Sequence, residues 1–300
     1  MKAIVYSEFG GPEVLRLEDV EEPHAGPGQV RLKVVAAGVN PVDYKIRRGW
    51  MPDMVPASMP AIPSLEAAGV VDEVGAGVTG VVVGDEVMAW TSTGSYAEYA
   101  VADDFALKPA GLDWETAAAL PVALETADRV LAILGATAGE TLLVHGAAGA
   151  VGAFGVQLAV ARGVTVIGTA SPRNHDYLRS LGAIPVTYGD GLADRVRALA
   201  PQGVDAVFDA AGQDALDVSI ELLGGIDRIV TITDLRAFDL GVVFSGASRQ
   251  FGAQLADYAK LVANNALGVR LAATFALADA GNAHELSETG HAGGKVVLVP

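Results

Sequence analysis

Short apolar runs alternate with amphipathic segments between about residues 141 and 233. The run at 141–144 has the length of a strand, and glycines follow it. A helix is then predicted, because small and apolar residues recur at helical spacing: Val151, Phe154, Gly155, Leu158 and Ala159. Further strands are predicted in VTVIGTA, AIPVTYG, VDAVFDAAG and DRIVTIT, and further helices in HDYLRSLG, LADRVRALA and ALDVSIELLGG. This alternation is typical of a doubly wound α/β domain with a parallel sheet.

The two ends of the chain show a different pattern. Up to about residue 120, short β runs such as RLKVVAAGV, AGVVDEVG and GDEVMAW are separated by glycine turns, which predicts a separate, mostly antiparallel lobe. Near the other end, VRLAATFAL and GKVVLV predict strands and ADAGNAHELSETG a helix; we expect these to return to the first lobe. The segment between the lobes predicts a helix that Asp113 caps and Pro121 kinks or divides.

The segment HGAAGAVG lies between the first strand of the α/β domain and its helix. Ala147, Gly149 and Gly152 follow the spacing G-x-G-x-x-G with alanine in the first place. In such a loop Gly149 lets the backbone approach a pyrophosphate, and Gly152 lets the helix meet the strand. A close-packed turn without a ligand is the alternative, but the flanking strand and helix favour a dinucleotide. His145, a lone histidine at a strand end, is expected to pack or hydrogen-bond.

The end of the second strand, GTASPRN, indicates which dinucleotide is preferred. NAD sites place an acidic residue about 20 positions beyond the glycine loop, where it binds the ribose hydroxyls. Ser171, Arg173 and Asn174 occupy that region here. A hydroxyl and a guanidinium favour the extra phosphate of NADP, so we predict NADPH as the cofactor. The alternative is that Arg173 is only a solvated surface residue.

Composition narrows the possible partners. With 36 acidic and 20 basic residues the formal charge is -16, which disfavours nucleic acid. The chain has no cysteine, so disulfides and thiolate ligands are excluded. The mean hydropathy of +0.37 raises the question of a membrane span, but the one suitable stretch, 142–161, carries His145, Gln157 and several glycines. The opening MKAIVYSEFGG predicts a strand and turn instead of a signal peptide, so we expect a cytoplasmic protein.

Seven segments together resemble one known family. They are MKAIVYSEFGGPEVL, AAGVNPVDYKIRRG, AAGVVDEVGAGVTGVVVGDEV, GSYAEYA, HGAAGAVG, GTASPRN and GKVVLV. The chain is similar along nearly its whole length to zinc-independent medium-chain dehydrogenases/reductases of the quinone oxidoreductase (zeta-crystallin-like) type. The resemblance implies a catalytic GroES-like β-barrel lobe at 1–120 and 256–300 and an NADP-binding Rossmann domain at 121–255. It also implies an active site in the cleft between them, NADPH as cofactor and a homodimer.

The comparison with zinc-bearing relatives predicts that no catalytic metal is bound. Those relatives carry a cysteine where this chain has Asn40, and Gly-His-Glu where it has Ser64, Leu65 and Glu66. Catalytic zinc normally takes three protein ligands, which Glu66 alone cannot supply. Without a Lewis acid to polarise an alcohol, reduction of an electron-poor acceptor is the expected reaction.

By resemblance, Asn40 lies near the nicotinamide, and Asp43 and Tyr44 lie beside it as further catalytic candidates. The cofactor-binding residues implied are Asn40, Thr126, Ala148, Gly149, Ala150, Val151, Gly152, Ser171, Arg173, Tyr188, Ala211, Gly212 and Ile232. Val42 stands where zinc-dependent relatives place a proton-relaying hydroxyl, which leaves the Tyr44 phenol as the nearby proton donor. Tyr44 could instead simply line an apolar cleft. Asp43 and Glu66 could be structural carboxylates that cap turns, which is the interpretation we prefer for Glu66.

The segment MPDMVPASMPAIP is expected at the rim of the cleft, where flexible methionines suit a flat, apolar substrate such as a quinone or polycyclic enone. Three functions remain open. The protein could reduce quinones, it could reduce the C=C bond of enones or enoyl compounds in a biosynthetic pathway, or it could bind NADPH without turnover.

Overall fold

A computed structural model describes residues 1–51, 59–246 and 250–300. The centre of the methionine-rich segment, 52–58, lies outside the described residues, so its expected place at a substrate cleft stays a prediction.

The strands and helices predicted from sequence are present, and the structure adds elements that were not predicted, such as the helices at Pro41–Arg47 and Gly252–Ala263. The strands are β1 (Lys2–Val5), β2 (Arg16–Asp19), β3 (Val30–Val39), β4 (Glu66–Val74), β5 (Glu86–Thr91), β6 (Tyr99–Leu107), β7 (Thr141–His145), β8 (Thr165–Thr169), β9 (Ile184–Val186), β10 (Ala206–Asp209), β11 (Ile229–Thr231), β12 (Val243–Phe244), β13 (Leu271–Ala276) and β14 (Lys295–Val299). The α-helices are α1 (Pro41–Arg47), α2 (Trp114–Ala118), α3 (Pro121–Leu134), α4 (Ala150–Ala161), α5 (His175–Ser180), α6 (Leu192–Leu199), α7 (Ala215–Leu223), α8 (Ala237–Leu240), α9 (Gly252–Ala263) and α10 (Ala280–Glu288).

The chain forms two compact units, the first of which is Met1–Val122 with Gln250–Pro300. Its β3 pairs antiparallel with β4, the chain continues through β5 to β6, and β6 pairs back with residues 30–33 of β3. This closes a barrel. Alternate residues of β3, Val30, Leu32 and Val34, are buried in its core, as the period of two of a strand requires.

The C-terminal strands join the same barrel. β14 pairs antiparallel with the end of β3, and β13 pairs parallel with β14. The prediction that these segments return to the first lobe is therefore confirmed. Placing β14 beside the end of β3 brings Lys295, its first residue, close to Asn40, which directly follows β3.

The second unit, Ala123–Arg249, contains a six-stranded parallel sheet. Its strand order is β9-β8-β7-β10-β11-β12, which is the doubly wound order of a Rossmann domain and confirms the predicted fold class. The order reverses between β7 and β10, where ligands of such sheets bind beyond the carboxyl ends of the strands. Helix α4 occupies most of the apolar stretch that raised the membrane question. In the part of the chain that the structure describes, no helix is long and apolar enough to cross a bilayer.

The segment between α2 and α3 follows its local sequence signals. The Asp113 side chain accepts a hydrogen bond from the backbone N–H of Thr116 (2.7 Å) and caps α2, as predicted. Helix α2 ends at Ala118, and α3 begins at Pro121, so the proline divides the predicted helix into two.

Candidate active site

The glycine turn after β7 is shaped by close backbone contacts. Gly146 has a φ of 67°, in the left-handed region that favours glycine. A Cβ added at Gly152 would lie 2.3 Å from the carbonyl oxygen of Gly146, so a side chain there would force α4 away from the turn. Gly149 is exposed, and a Cβ there would meet only that same oxygen, at 3.3 Å. The turn therefore presents backbone, with no side chain larger than a methyl group between Gly146 and Ala150, at the end of β7.

The N-terminus of α4 offers hydrogen-bond donors at this turn. Ala147 N–H donates to the carbonyl of Thr169, and Gly149 N–H to that of Gly146. The N–H groups of Ala148, Ala150, Val151 and Gly152 have no acceptor among residues 1–51, 59–246 and 250–300. A helix cannot satisfy its own first N–H groups, and its dipole favours negative charge at this end. The arrangement suits an anion such as a pyrophosphate.

A buried carboxylate fixes the neighbouring turn, on the other side of the point where strand order reverses. Asp209 ends β10, and its Oδ1 accepts from the N–H groups of Ala211 and Gly212, both at 2.9 Å. Its Oδ2 accepts from the Thr231 hydroxyl at 2.7 Å. Ile232 follows β11 and donates its N–H to the Asp209 carbonyl. Because β7, β10 and β11 are adjacent and parallel, the structure places these predicted residues at one edge of the sheet with the glycine turn.

Asp209 itself was missed by the sequence analysis. The available signal was a carboxylate at the carboxyl end of the predicted strand VDAVFDAAG, where it can hold the next turn.

The residues predicted to select NADPH follow β8 and β9 at the same edge. Ser171 lies before a short 3₁₀-helix at Pro172–Asn174, and its hydroxyl accepts a hydrogen bond from the Asn174 amide at 3.3 Å. Arg173 is exposed and makes no ion pair or hydrogen bond with a residue that the structure describes. Tyr188, two residues beyond β9, is also exposed. Arg173 thus presents a free guanidinium at the surface.

His145 and Thr126 are both buried in the second unit. His145 contacts the Ser219 hydroxyl through Nε2 at 3.1 Å, and burial lowers its pKa to about 4. It is therefore neutral at pH 7 and packs and hydrogen-bonds as expected. Thr126 lies in the first half of α3.

The first unit brings Asn40 together with two charged groups. Asn40 is the N-cap residue of α1 and is 5% exposed. Its Nδ2 donates to Glu66 Oε1 at 2.7 Å, and its Oδ1 accepts from Lys295 Nζ at 2.6 Å. Lys295 also donates to Glu66 Oε1, so the two charges form a buried ion pair. Each of the three side chains contacts the other two.

Glu66 has a structural role of the kind we preferred from sequence, because it holds a backbone N–H of a helix turn, and it also forms a buried ion pair. It is the first residue of β4 and is fully buried. Besides Asn40 and Lys295, it accepts a hydrogen bond from the N–H of Val122 in the first turn of α3, through Oε2 at 2.7 Å. Lys295 was missed, although GKVVLV places a lysine at the start of an otherwise apolar strand.

Asp43 belongs to a second set of contacts that begins at the same helix. Its Oδ2 accepts from the Asn40 backbone N–H at 2.8 Å and from the Tyr96 hydroxyl at 3.2 Å. It therefore caps α1, as the structural alternative from sequence proposed. Burial raises the pKa of Asp43 to about 7, although the bond from Asn40 opposes this shift. Oδ1 of Asp43 is buried without a hydrogen-bond partner in the described chain.

The contacts continue from Asp43 through Tyr96 to His284 and Arg47. Arg47 can only donate, so Nδ1 of His284 accepts from it (3.1 Å) and Nε2 carries the proton toward the Tyr96 hydroxyl (3.1 Å). Burial, and then the charge of Arg47, lower the pKa of His284 to about 3. The positive charge of Arg47 is balanced by an ion pair with Glu288. Arg47 thus donates to His284, His284 donates to Tyr96, and Tyr96 donates to Asp43.

Tyr44 stands apart from these contacts. It is half-buried and packs edge-on against Trp50, with ring centroids 6.3 Å apart. Burial raises the pKa of its phenol, and the charge of Glu288 adds to the effect. Its hydroxyl makes no hydrogen bond with the described residues. Of the three catalytic candidates, the structure joins Asn40 and Asp43 and leaves the Tyr44 phenol available to a ligand.

Comparisons with known proteins agree with this architecture. Residues 26–110 match the family described as "Alcohol dehydrogenase GroES-like domain", and residues 181–298 match "Zinc-binding dehydrogenase". The NADPH-dependent alkenal/one oxidoreductase of Arabidopsis thaliana chloroplasts is 39% identical over 78% of this chain and 62% of its own length. The quinone oxidoreductase of Rattus norvegicus is 37% identical over 77% of this chain and 73% of its own.

A solved structure extends the likeness over the whole chain. The quinone oxidoreductase of Coxiella burnetii superposes with a TM-score of 0.91 at 35% identity, covering 100% of this chain and 99% of the other. A GroES-like barrel with a Rossmann domain defines the class of medium-chain dehydrogenases/reductases. Within that class, the chain belongs to the quinone oxidoreductase family. It spans less than two thirds of the Arabidopsis relative.

Proposed function

We propose that the protein is a zinc-independent, NADPH-dependent oxidoreductase that transfers hydride to a quinone. The observation that carries the proposal is the set of unpartnered N–H groups at the start of α4, located where the strand order reverses. They lie around the exposed Gly149, where the backbone is accessible, and they fit the pyrophosphate of a dinucleotide. The membership in the quinone oxidoreductase family supports the same reading.

The preference for NADPH is attributed to Arg173, Ser171 and Tyr188. A free guanidinium can form charge-assisted, bidentate hydrogen bonds to a phosphate, and the neighbouring hydroxyls can add to them. The name of the Arabidopsis relative also specifies NADPH. When bound, the cofactor supplies the hydride; the residues of the second unit bind it and orient it.

The catalytic contribution is attributed to Asn40, Asp43 and Tyr44 in the first unit. Asn40 presents an amide whose orientation is fixed, and Asp43 sets the start of α1 and keeps a proton up to about pH 7. Tyr44 offers a phenol that can donate to an acceptor oxygen. A quinone takes hydride without obligatory protonation by the protein, so orientation should contribute most to its reduction.

Reduction of enones is the second candidate, because the Arabidopsis relative is named an alkenal/one oxidoreductase. The same cofactor site serves both reactions. The two reactions differ in their need for a proton donor, since C=C reduction leaves a carbanion or enolate that must be protonated.

Steady-state oxidation of NADPH and NADH across a panel of quinones and enones tests the proposal. We expect turnover with NADPH and at least one quinone. Turnover confined to enones would favour the second candidate. Tight NADPH binding without turnover on any acceptor would overturn both and support a binding protein.

The proposal extends to assembly and compartment. β12 is an edge strand of the second sheet, and Val243 and Phe238 expose apolar side chains there, which supports a homodimer. Sedimentation equilibrium measures the mass directly. The absence of cysteine supports a cytoplasmic location, which fractionation of the source cells would test.

A further inference from the structure

Lys295 is a buried cation whose contacts converge on the side chain of one proposed catalytic residue. It is 3% exposed, and its ammonium group contacts Asn40 Oδ1 and Glu66 Oε1. We propose that Lys295 and Glu66 are positioning residues that hold the Asn40 amide as an oriented, polarised hydrogen-bond donor to a carbonyl oxygen. This inference rests on the proposed function.

The contacts fix which way the Asn40 amide points. Its oxygen faces a cation and its nitrogen faces an anion, so exchanging the two by a rotation of the amide would place a donor against Lys295 and an acceptor against Glu66. One N–H of Nδ2 is used by Glu66. The other has no acceptor in the described chain and is the donor that we assign to a ligand.

Glu66 is itself held from three directions. It accepts from Lys295 at the start of β14, from Asn40 at the start of α1 and from the Val122 N–H at the start of α3. These donors occupy both of its oxygens, so the carboxylate cannot turn away without breaking several bonds. A group with an immobile first partner is pre-organised and loses little entropy when it binds a ligand.

The cation also strengthens the remaining donor, whereas the carboxylate on the other N–H contributes orientation. A cation on the amide oxygen draws electron density from the nitrogen, and a low local dielectric increases this effect. Lys295 therefore places positive charge on the oxygen of the Asn40 amide, and the amide transmits it to the ligand.

The ligand is a carbonyl oxygen, which has two sources in the proposed reaction. One is the carboxamide of the nicotinamide, and the other is the carbonyl of a quinone or enone. If the cofactor is the partner, removing the lysine should weaken NADPH binding in the absence of acceptor. If the acceptor is the partner, NADPH affinity should stay within twofold of wild type and the loss should appear in turnover.

The experiment compares Lys295→Met with the double variant Lys295→Met/Glu66→Gln. Loss of the lysine alone leaves a buried, uncompensated carboxylate, whereas the double variant removes both charges and should fold more readily. Arg31→Met is the matched control. It removes another cation, paired with Asp72, from the opposite end of β3.

The first readout is the side-chain amide NMR signal of Asn40 in ¹⁵N-labelled, cofactor-free protein, identified by its loss in Asn40→Ala. We expect two widely separated N–H shifts with one slowly exchanging proton in wild type and in Arg31→Met. In the double variant the two shifts should converge and exchange should accelerate. This readout does not depend on activity, so it separates failure of the inference from failure of the proposed function.

The second readout is kinetic, with NADPH titrations and kcat measured on an active acceptor. Loss of one oriented donor costs about 10²–10³ in kcat in other enzymes, and we expect a loss of at least about tenfold in the double variant but less than twofold in Arg31→Met. A folded double variant with the Asn40 signal and the kinetics of wild type would overturn the inference. So would equal losses in the double variant and the control, since these would indicate a general effect on stability.

Discussion

The two units differ in the chemical groups that they offer to a ligand: one offers backbone N–H groups and the other offers side chains. In the second unit the donors are backbone N–H groups of a glycine turn and a helix N-terminus, surrounded by small residues. In the first unit they are side chains held by buried charges: Asn40 with Glu66 and Lys295. A backbone site depends on close approach and is disrupted by added atoms. A side-chain site depends on electrostatics and is disrupted by removing a partner.

The largest effect is expected where the first unit supplies a proton. Tyr44→Phe removes the unpartnered phenol. We expect kcat/KM to fall by about 10²- to 10⁴-fold for an enone that needs protonation, as for a lost general acid, and to change little for a quinone. Measuring both substrates with wild type and variant tests this. Equal, negligible losses on both would leave Tyr44 as a residue that only lines the site.

A single added methyl group tests the backbone site. Gly152→Ala places a Cβ against the Gly146 carbonyl at 2.3 Å, so α4 must shift and the N–H groups must move with it. We expect a loss of about 1–3 kcal/mol in stability and weaker NADPH binding. Gly225→Ala is the control, because a Cβ there would meet no heavy atom within 4 Å and Gly225 is not among the predicted cofactor-binding residues. Urea denaturation and fluorescence titration measure both, and indistinguishable variants would contradict the close-approach argument.

Arg173→Ala tests the one charged side chain assigned to the cofactor in the second unit. Removing a charged hydrogen bond worth about 1.5–3 kcal/mol should weaken NADPH binding by roughly ten- to hundredfold. NADH lacks the phosphate, so its affinity should barely change. Calorimetric titrations with both cofactors provide the measurement, and equal losses for the two would refute the assignment.

The buried Asp43 predicts a pH dependence of stability. Its pKa is about 7 in the folded protein against 3.8 for an ordinary aspartate, so the folded state binds more protons between these values. The contribution of Asp43 to the free energy of unfolding is at its maximum below about pH 4. It falls by up to about 1.4 kcal/mol per pH unit as the pH rises toward 7. Asp43→Asn should remove this slope.

Urea denaturation of wild type and Asp43→Asn between pH 5 and 8 measures the difference. The buried His145 and His284, whose pKa values are lowered, are present in both proteins and largely cancel in it. Asp113→Asn is the control, because Asn is also a good helix cap. Parallel pH profiles for wild type and Asp43→Asn would show that Asp43 is ionised in the folded state at pH 5.

The smallest effect is expected on metal removal. The resemblance implies that Asn40 and Leu65 replace two zinc ligands, so activity should survive treatment with chelators and dialysis into metal-free buffer. Elemental analysis accompanies the assay. Stoichiometric zinc, lost together with activity, would contradict this.

Local signals determined much of the architecture. The strand, glycine turn and helix from Thr141 to Ala161 follow from the spacing of apolar residues. They also follow from glycines that lie close together in sequence and leave no room for side chains between them. The cap at Asp113 and the break at Pro121 are also local, because a cap binds its own first turn and a proline lacks an N–H. The Rossmann fold class could be predicted for this reason. The roles of the cofactor-binding and catalytic residues stay predictions.

Partners that are distant in sequence were decided only by the tertiary structure. Lys295 and Asn40 are 255 residues apart and meet because β14 pairs with the end of β3 in one particular register. Glu66 contacts Val122 because the start of β4 pairs with the end of β3, which places Glu66 near the first turn of α3. Such contacts depend on strand pairing and register, which residue spacing does not encode. The sequence by itself determined which residues could carry charge or donate a hydrogen bond, and the packing of the barrel determined which of them face one another.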